Sequence, residues 1–449
     1  MKKLILISFI VSVSSMFGYA DTLAALDKWK IDNEDVNSST FELRSGQLAF
    51  YNGEVNRGDF RNFVFKARIS HSDGVKASFW IHSDANFSKG YSVLIGNSTD
   101  DRRRSGSLSS VRNLYRPQSS SFDLEVRVEG KRILVSIDNQ VVVDYLEPAT
   151  KYRVVANAAQ LLSSGLIGFC VENGTLNVVG ADIVTLEDNI PSYPAGREPI
   201  DERNDAVIRL QQRNFPIVDY HVHLPRGMDI EDLLKKSLED GFEYGMAVNC
   251  GIGFSISTDE QAMEYFLSNQ NVPFYIAMQA EGREWVDTFS KETFDLFDYV
   301  FTDALTFYDH KGRRTLLWAA GTVIIDIPEQ EYMDMILDRT LKVLNEEPIN
   351  IWVNPTLLGD TMMADYDKYW TDERVAMIVK ALRDNNIALE INARYKLPSA
   401  RIIKAAKAAG VKFTLGTNNG NVQQLDRLEY SLKMVEECGL TIEDMWFPK

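Results

Sequence analysis

The strongest constraint on the fold is a change of hydrophobic period part-way along the 449-residue chain. From residue 22 to about 188 the pattern is that of strands. FVFKARIS (63–70), KASFWIH (76–82), YSVLIG (91–96), LEVRVEG (124–130), ILVSIDNQVVVDYL (133–146) and LIGFCVENGTLNVVGADIVTL (166–186) alternate or are rich in β-branched and aromatic residues. Asp73-Gly74, Glu129-Gly130, Asp138-Asn139 and Asn173-Gly174 punctuate them as turns. Many short strands joined by hairpins, with almost no helical period, predict an all-β jelly-roll sandwich over 21–188.

A different period begins after LEDNIPSYPAGREPIDERND (186–205). That stretch holds three prolines and many charges and has no period, so a linker is expected over 189–205. From 206 to 449 short apolar runs alternate with amphipathic helices. The runs are PIVDYHVHL, YGMAVNCG (244–251), PFYIAMQAE (273–281), DYVFTDA (298–304), INIWVNPT (349–356), IALEINA (387–393) and KFTLGT (412–417). Helices are predicted at 228–241, 259–270, 290–297, 329–346, 371–386, 399–409 and 425–438, with Thr371 and Ser399 as N-caps and Gly439 as a C-cap. Buried parallel strands read as near-continuous apolar runs, and seven alternations predict a seven-stranded, TIM-like α/β barrel. An open doubly wound sheet is the alternative. No GxGxxG or P-loop follows any run, which removes the usual nucleotide-binding signatures.

The chain starts MKKLILISFIVSVSSMFGYA. Two lysines, a short apolar run and small residues at 18 and 20 predict an export signal over 1–20, cleaved near Ala20, and a periplasmic or secreted product. The run is too short and Ser-rich for a membrane span. The formal net charge is −16, which disfavours nucleic acid as a partner. Three cysteines, Cys170, Cys250 and Cys438, are too few for a disulfide framework.

The chemistry concentrates at the ends of the seven runs, where barrel enzymes place their sites. In the first, Asp219, His221 and His223 are two residues apart and are expected on one face. Two such imidazoles can bind a divalent metal, and Glu281 and Asp303 at the third and fourth ends are hard anionic ligands to join them. The other ends carry Asn249, Asn354, Glu390, Asn392, Thr417, Asn418 and Asn419, a set that predicts a shared polar cavity. Arg283 and Arg394 could clamp an anionic group of a substrate. His310, in the loop after the fourth run, could serve as a mobile acid or base.

These residues carry two resemblances. Over roughly 215–449 the chain resembles the PHP (polymerase and histidinol phosphatase) domain, among the amidohydrolase-like metal-dependent hydrolases. The resemblance rests on DYHVHL, AEGRE (280–284), DYVFTDA and LEIN…AAKAAGVKFTLGTNNGN (389–421). It implies a metal-activated water acting on an ester, phosphoester or glycan-derived substrate, with Zn, Mn or Mg at His221, His223, Glu281 and Asp303. Asp303 and His310 would be catalytic. Arg283, Asn354, Glu390, Asn392, Arg394, Asn418 and Asn419 would line the substrate site. The chain departs from the pattern in three places. Asn249-Cys250 stands where the family has a strand-two His, Asp303 replaces a strand-four His, and the final GSDxH becomes Gly416-Thr417-Asn418-Asn419-Gly420.

The N-terminal half resembles the 3-keto-disaccharide hydrolase domain, a concanavalin-like jelly roll. The resembling pieces are GDFRNFVFKARI (58–69), KGYSVLIG (89–96) and LEVRVEGKRILVSIDNQVVVDY (124–145), with Leu94 in place of the family's Gln. Two further readings follow from it. Either the sandwich cleaves 3-keto-glycosides itself, or the protein binds a glycan without catalysis and carries a degenerate barrel.

Overall fold

The structure, a computed structural model, describes residues 28–51 and 59–448. The export signal expected at 1–20 lies outside these residues.

The N-terminal part is a sandwich of two six-stranded antiparallel sheets. One sheet runs, in spatial order, through 34–37, 28–31, 48–51, 166–173, 76–83 and 91–96. The other runs through 140–146, 132–137, 121–129, 63–71, 175–185 and 41–44. Burial alternates along 63–71 and 121–129, as the sequence pattern requires. The faces meet through aromatic contacts. Phe65 of one sheet stacks on Phe79 of the other at 4.2 Å, and Trp29 meets Phe41 at 4.9 Å. Asp138 and Asn139 both adopt positive φ in the two-residue turn between 132–137 and 140–146.

The C-terminal part is a closed barrel of seven parallel strands in sequential order: β1 (Val218–His223), β2 (Glu243–Cys250), β3 (Tyr275–Ala280), β4 (Tyr299–Thr302), β5 (Ile351–Trp352), β6 (Ala388–Asn392) and β7 (Phe413–Gly416). Helix α1 (Ala206–Gln211) precedes β1 and α2 (Ile230–Asp240) follows it. Thr371 caps its helix by accepting from the Arg374 amide, whereas Ser399 makes no such bond. The interior is packed with Tyr220, Tyr275, Tyr299 and Phe301. Tyr299 crosses the barrel to donate to the Tyr220 carbonyl at 2.7 Å, and only glycine at 245 leaves room, since a Cβ there would lie 1.9 Å from the Tyr299 hydroxyl. All three cysteines are free thiols. Among the described residues no helix is long and apolar enough to cross a membrane.

The sandwich plugs the N-terminal end of the barrel. Tyr115, from the sandwich loop after 91–96, belongs to the interior cluster and lies 5.8 Å from Phe447. The carboxylate of Glu243, at the start of β2, accepts from the backbone amides of Tyr115 (2.5 Å) and Arg116 (3.1 Å). The segment after the sandwich is pinned rather than free. Glu202 is 1% exposed and binds Arg153, the Tyr145 hydroxyl (2.5 Å) and the Tyr152 amide (3.1 Å), while Arg197 pairs with Asp144. Proline and charge along this stretch therefore do not make a loose tether, because its side chains find buried partners on the sandwich.

The barrel closes through side chains. β1 and β7 share a single paired position, Asp219 with Leu415. The Asp219 carboxylate accepts from the Thr417 hydroxyl (2.6 Å), the Thr417 amide (3.0 Å) and the His221 amide (3.1 Å). Removing it leaves these buried donors without an acceptor. Asp219→Ala is expected to lower stability by about 3 kcal/mol in urea unfolding followed by tryptophan fluorescence, and Asp219→Asn by less, since an amide oxygen remains. A loss under about 1 kcal/mol for Asp219→Ala would mean the seam does not depend on this carboxylate.

Candidate active site at the barrel mouth

The alternation expected for Asp219, His221 and His223 does not hold. Pairing between β1 and β2 shifts register between Asp219 and Val222. Tyr220 packs inside the barrel and Val222 packs in the outer layer. Asp219 turns to the seam, and only the two histidines reach the mouth. His221 lies 5.3 Å from His223 and 4.6 Å from Phe301, ring centre to ring centre.

His221 is held at both ring nitrogens. Nδ1 is 2.7 Å from Glu390 Oε1 and Nε2 is 3.2 Å from Gln279 Oε1. Burial opposes charge on this ring, but the Glu390 carboxylate outweighs it and the pKa is raised. Glu390 is fixed in turn by the Asn354 amide (2.6 Å) and the Asn392 side chain (2.9 Å). Gly416 makes this approach possible, because a Cβ there would lie 2.1 Å from Glu390 Oε1. His223 differs. Burial and the charge of His221 push its pKa down to about 3, so it is neutral at physiological pH. The Ala247 carbonyl and the Gln279 side chain oppose this shift without overcoming it.

Gln279 joins these groups to the carboxylates. Its amide nitrogen donates to Glu281 Oε1 at 2.9 Å, and Asn249 donates to the same oxygen at 2.6 Å. Glu281 Oε2 is left without a hydrogen-bond donor among the described residues. Burial and then the neighbouring Asp303 raise the Glu281 pKa to about 7. Burial raises Asp303 as well, although it accepts from the Leu305 amide (3.0 Å) and Asn354 (3.3 Å). With burial and the Asp303 charge opposing its ionisation, Glu281 keeps its proton up to about pH 7.

The remaining expected residues divide into two groups. Asn354, Asn392 and Asn418 hydrogen-bond to one another, with Asn354 and Asn418 at positive φ. Asn419 is stitched to the backbone of His223, accepting from its amide (2.7 Å) and donating to its carbonyl (2.8 Å). It thereby forms a second clasp across the seam. Arg283 binds Glu347 (2.8 Å), the Thr302 hydroxyl (2.9 Å) and the Asp303 carbonyl (2.9 Å), which makes it a strut behind Asp303. Arg394 stays exposed, bonded to the Asn418 carbonyl and stacked on Tyr395. His310 is not brought to the cluster. It sits in the turn of the hairpin 306–316 and pairs with Asp326 at 3.1 Å.

Gln279, absent from the sequence expectations, proves central. It lies two residues before Glu281 and so on the same face of β3, which is the signal that would have found it. The rim was also missed. Leu224 follows β1, Ile252 and Phe254 follow β2, and Trp318 follows the hairpin beyond β4, all exposed, with Trp318 at 56%.

The four expected metal ligands do not assemble as a metal site. His221 is turned onto the Gln279 amide and locked to Glu390. Among the described residues no group of three or more His, Cys, Asp or Glu is placed to hold an ion.

With this geometry established, comparison with known proteins bears on the other half of the chain. Residues 24–178 match the 3-keto-alpha-glucoside-1,2-lyase-like domain. Solved structures similar to the chain include a candidate glycosyl hydrolase from Parabacteroides distasonis, 12% identical, covering 35% of this chain and 88% of its own, with TM-score 0.30. Another is the carbohydrate binding module CBM66 from Bacillus subtilis, 15% identical, covering 35% of this chain and 95% of its own, with TM-score 0.26. No curated protein sequence matches the chain.

Glu281 provides a direct check on these electrostatics. Its ordinary pKa is 4.5 and its folded value is about 7. Between these values the native state holds a proton that the unfolded state has lost, so stability falls as pH rises through the window. Glu281→Gln keeps an acceptor for Asn249 and Gln279 without the charge. It is expected to exceed wild type by about 2 kcal/mol near pH 8 and to show no gain near pH 4, by urea unfolding at the two pH values.

Proposed function

We propose that the barrel mouth is the active centre of a hydrolase acting on a polyhydroxylated, carbohydrate-derived substrate by carboxylate acid–base chemistry. The observation that carries this reading is the pair of half-buried Glu281 and buried Asp303 on neighbouring strand ends, in which Asp303 and burial raise the proton affinity of Glu281. Such pairs suit a site that must offer an acid and a base at one pH. The amides of Asn249, Gln279, Asn354 and Asn418 beside them are natural partners for hydroxyls. The exposed Phe254 and Trp318 give flat apolar faces of the kind on which sugar rings rest. The neighbouring domain matches a family named for a lyase of 3-keto-alpha-glucosides, which favours the same substrate class.

In this mechanism Glu281 holds the proton on Oε2, the oxygen free of donors, and delivers it to the leaving oxygen. Asp303, backed by Arg283, receives a proton from the attacking water. His221, whose proton affinity Glu390 raises, limits how far the two carboxylates are pushed up when it is protonated, since its charge favours the ionised form of both. Gln279 and Asn249 fix Glu281 in place. The metal-dependent form of this chemistry, which the PHP resemblance implies, would require His221 to leave Gln279 and Glu390.

A second reading puts catalysis in the sandwich. It is favoured by the family match together with the buried Glu147, which accepts from the Tyr91 hydroxyl (2.6 Å), Lys131 (2.8 Å) and the Leu162 amide (2.9 Å). One experiment separates the two. The full chain is assayed against a panel of glycosides, 3-keto-glycosides and sugar esters, with and without a chelator. Glu281→Gln and Asp303→Asn are each expected to lower kcat by about 10²–10⁴-fold, with Glu147→Gln leaving it within about 3-fold. Wild-type activity is expected to fall as pH rises through about 7, where Glu281 loses its proton. Loss of activity in Glu147→Gln with full activity in Glu281→Gln would move the site to the sandwich. Inactivation by the chelator, reversed by a divalent metal, would refute the metal-free mechanism.

A further inference from the structure

At the opposite end of the barrel a buried cation lacks an acid. Arg112, from the sandwich loop after 91–96, is 5% exposed. Its Nη1 donates to the Val111 carbonyl at 2.9 Å, and the guanidinium lies over the Tyr145 ring at 5.3 Å. Nε finds no partner, and Arg112 forms no ion pair among the described residues. The slot is shaped for it, since a Cβ at Gly241 would lie 2.5 Å from Nε. The nearby carboxylates are committed elsewhere: Asp144 to Arg132 and Arg197, Glu202 to Arg153, and Asp205 to the cap of α1. Burial accordingly pulls the Arg112 pKa below its ordinary value. A desolvated guanidinium without an anion is costly, and an anion brought to it recovers that cost.

Arg112 also borders a cavity of about 250 Å³ between the sandwich, the pinned segment and α2. That is the space of roughly eight waters, or of one sugar ring. Its wall includes Arg197 and the exposed rim carboxylates Glu198 and Glu239, as well as Asp144. The cation suits one carboxylate. The surrounding acids accept from hydroxyls and repel a second negative charge, so a monoanion is preferred to a phosphate dianion.

We propose that this seam cavity binds a small hydroxylated monocarboxylate, a sugar acid, with its carboxylate on Arg112. The site is separate from the barrel mouth and does not depend on the hydrolase reading. The test is isothermal titration calorimetry of the full chain with D-glucuronate, glucose and inorganic phosphate. One-to-one binding of glucuronate is expected, with glucose and phosphate at least about tenfold weaker. Arg112→Gln is expected to weaken glucuronate binding at least tenfold, and Glu281→Gln to leave it unchanged. If Arg112→Gln does not fold, Arg197→Gln, on the partly exposed wall of the same cavity, is expected to weaken it about threefold or more. Absence of glucuronate binding, glucose or phosphate binding as tightly, or unaltered binding in the folded Arg variant would overturn the proposal. Loss of binding in Glu281→Gln would place the acid at the mouth and overturn it equally.

Discussion

The closure of the barrel between β1 and β7 is the constraint on which the rest depends. Seven strands must meet with one shared backbone position between the first and the last, so side chains complete the join. Asp219 ties Thr417 to β1 and Asn419 ties His223 to the chain beyond β7. The same clasps fix the backbone of the two histidines. With that backbone set, His221 reaches Glu390 across the space that Gly416 leaves, and Gln279 is drawn between the imidazoles and Glu281. The mouth is thus an extension of the seam, and a change at Asp219 acts on chemistry it does not touch.

Within the mouth, two kinds of polar group are in balance. Glu390, Asn354, Asn392 and Asn418 are joined by hydrogen bonds and resemble any well-paired buried network. Glu281 does not. Burial and Asp303 hold it against its ordinary ionisation, and one of its oxygens has no donor. A fold optimised only for stability would place an amide there, as the expected behaviour of Glu281→Gln expresses. Local conflict of this kind is retained where function requires it.

How much of this was legible in the sequence follows from what period and spacing can carry. The seven apolar runs and the helix at 329–346 were readable, because buried parallel strands and an amphipathic face each leave a period. The polar strand ends were readable as a set. Their roles were not. The register shift between Asp219 and Val222 removes Asp219 from the face of the histidines, and no periodicity reports a one-residue slip. Asn419 and Arg283 look like free ligands until their partners, the His223 backbone and Glu347, are known. His310 lies in the right loop but is held by Asp326 on the same excursion. The segment 189–205 has the composition of a linker, yet Glu202 and Arg197 find partners through long-range contacts that composition cannot encode.

The placement of the sandwich changes how the halves relate. A sandwich beside a barrel invites the idea that one hands a ligand to the other. Here Tyr115 and the amides that bind Glu243 seat the sandwich on the N-terminal end, while Glu281, Asp303 and the rim residues Phe254 and Trp318 lie at the C-terminal ends of the strands. The barrel interior between them is filled by Tyr220, Tyr275, Tyr299 and Phe301, so no passage joins the two ends. A ligand held by the sandwich would therefore have to reach round the barrel to meet the mouth. The packed seam adds a third possibility grounded in linkage. A ligand that bridges sandwich, pinned segment and α2 stabilises the docked arrangement by its own binding free energy, without entering the mouth.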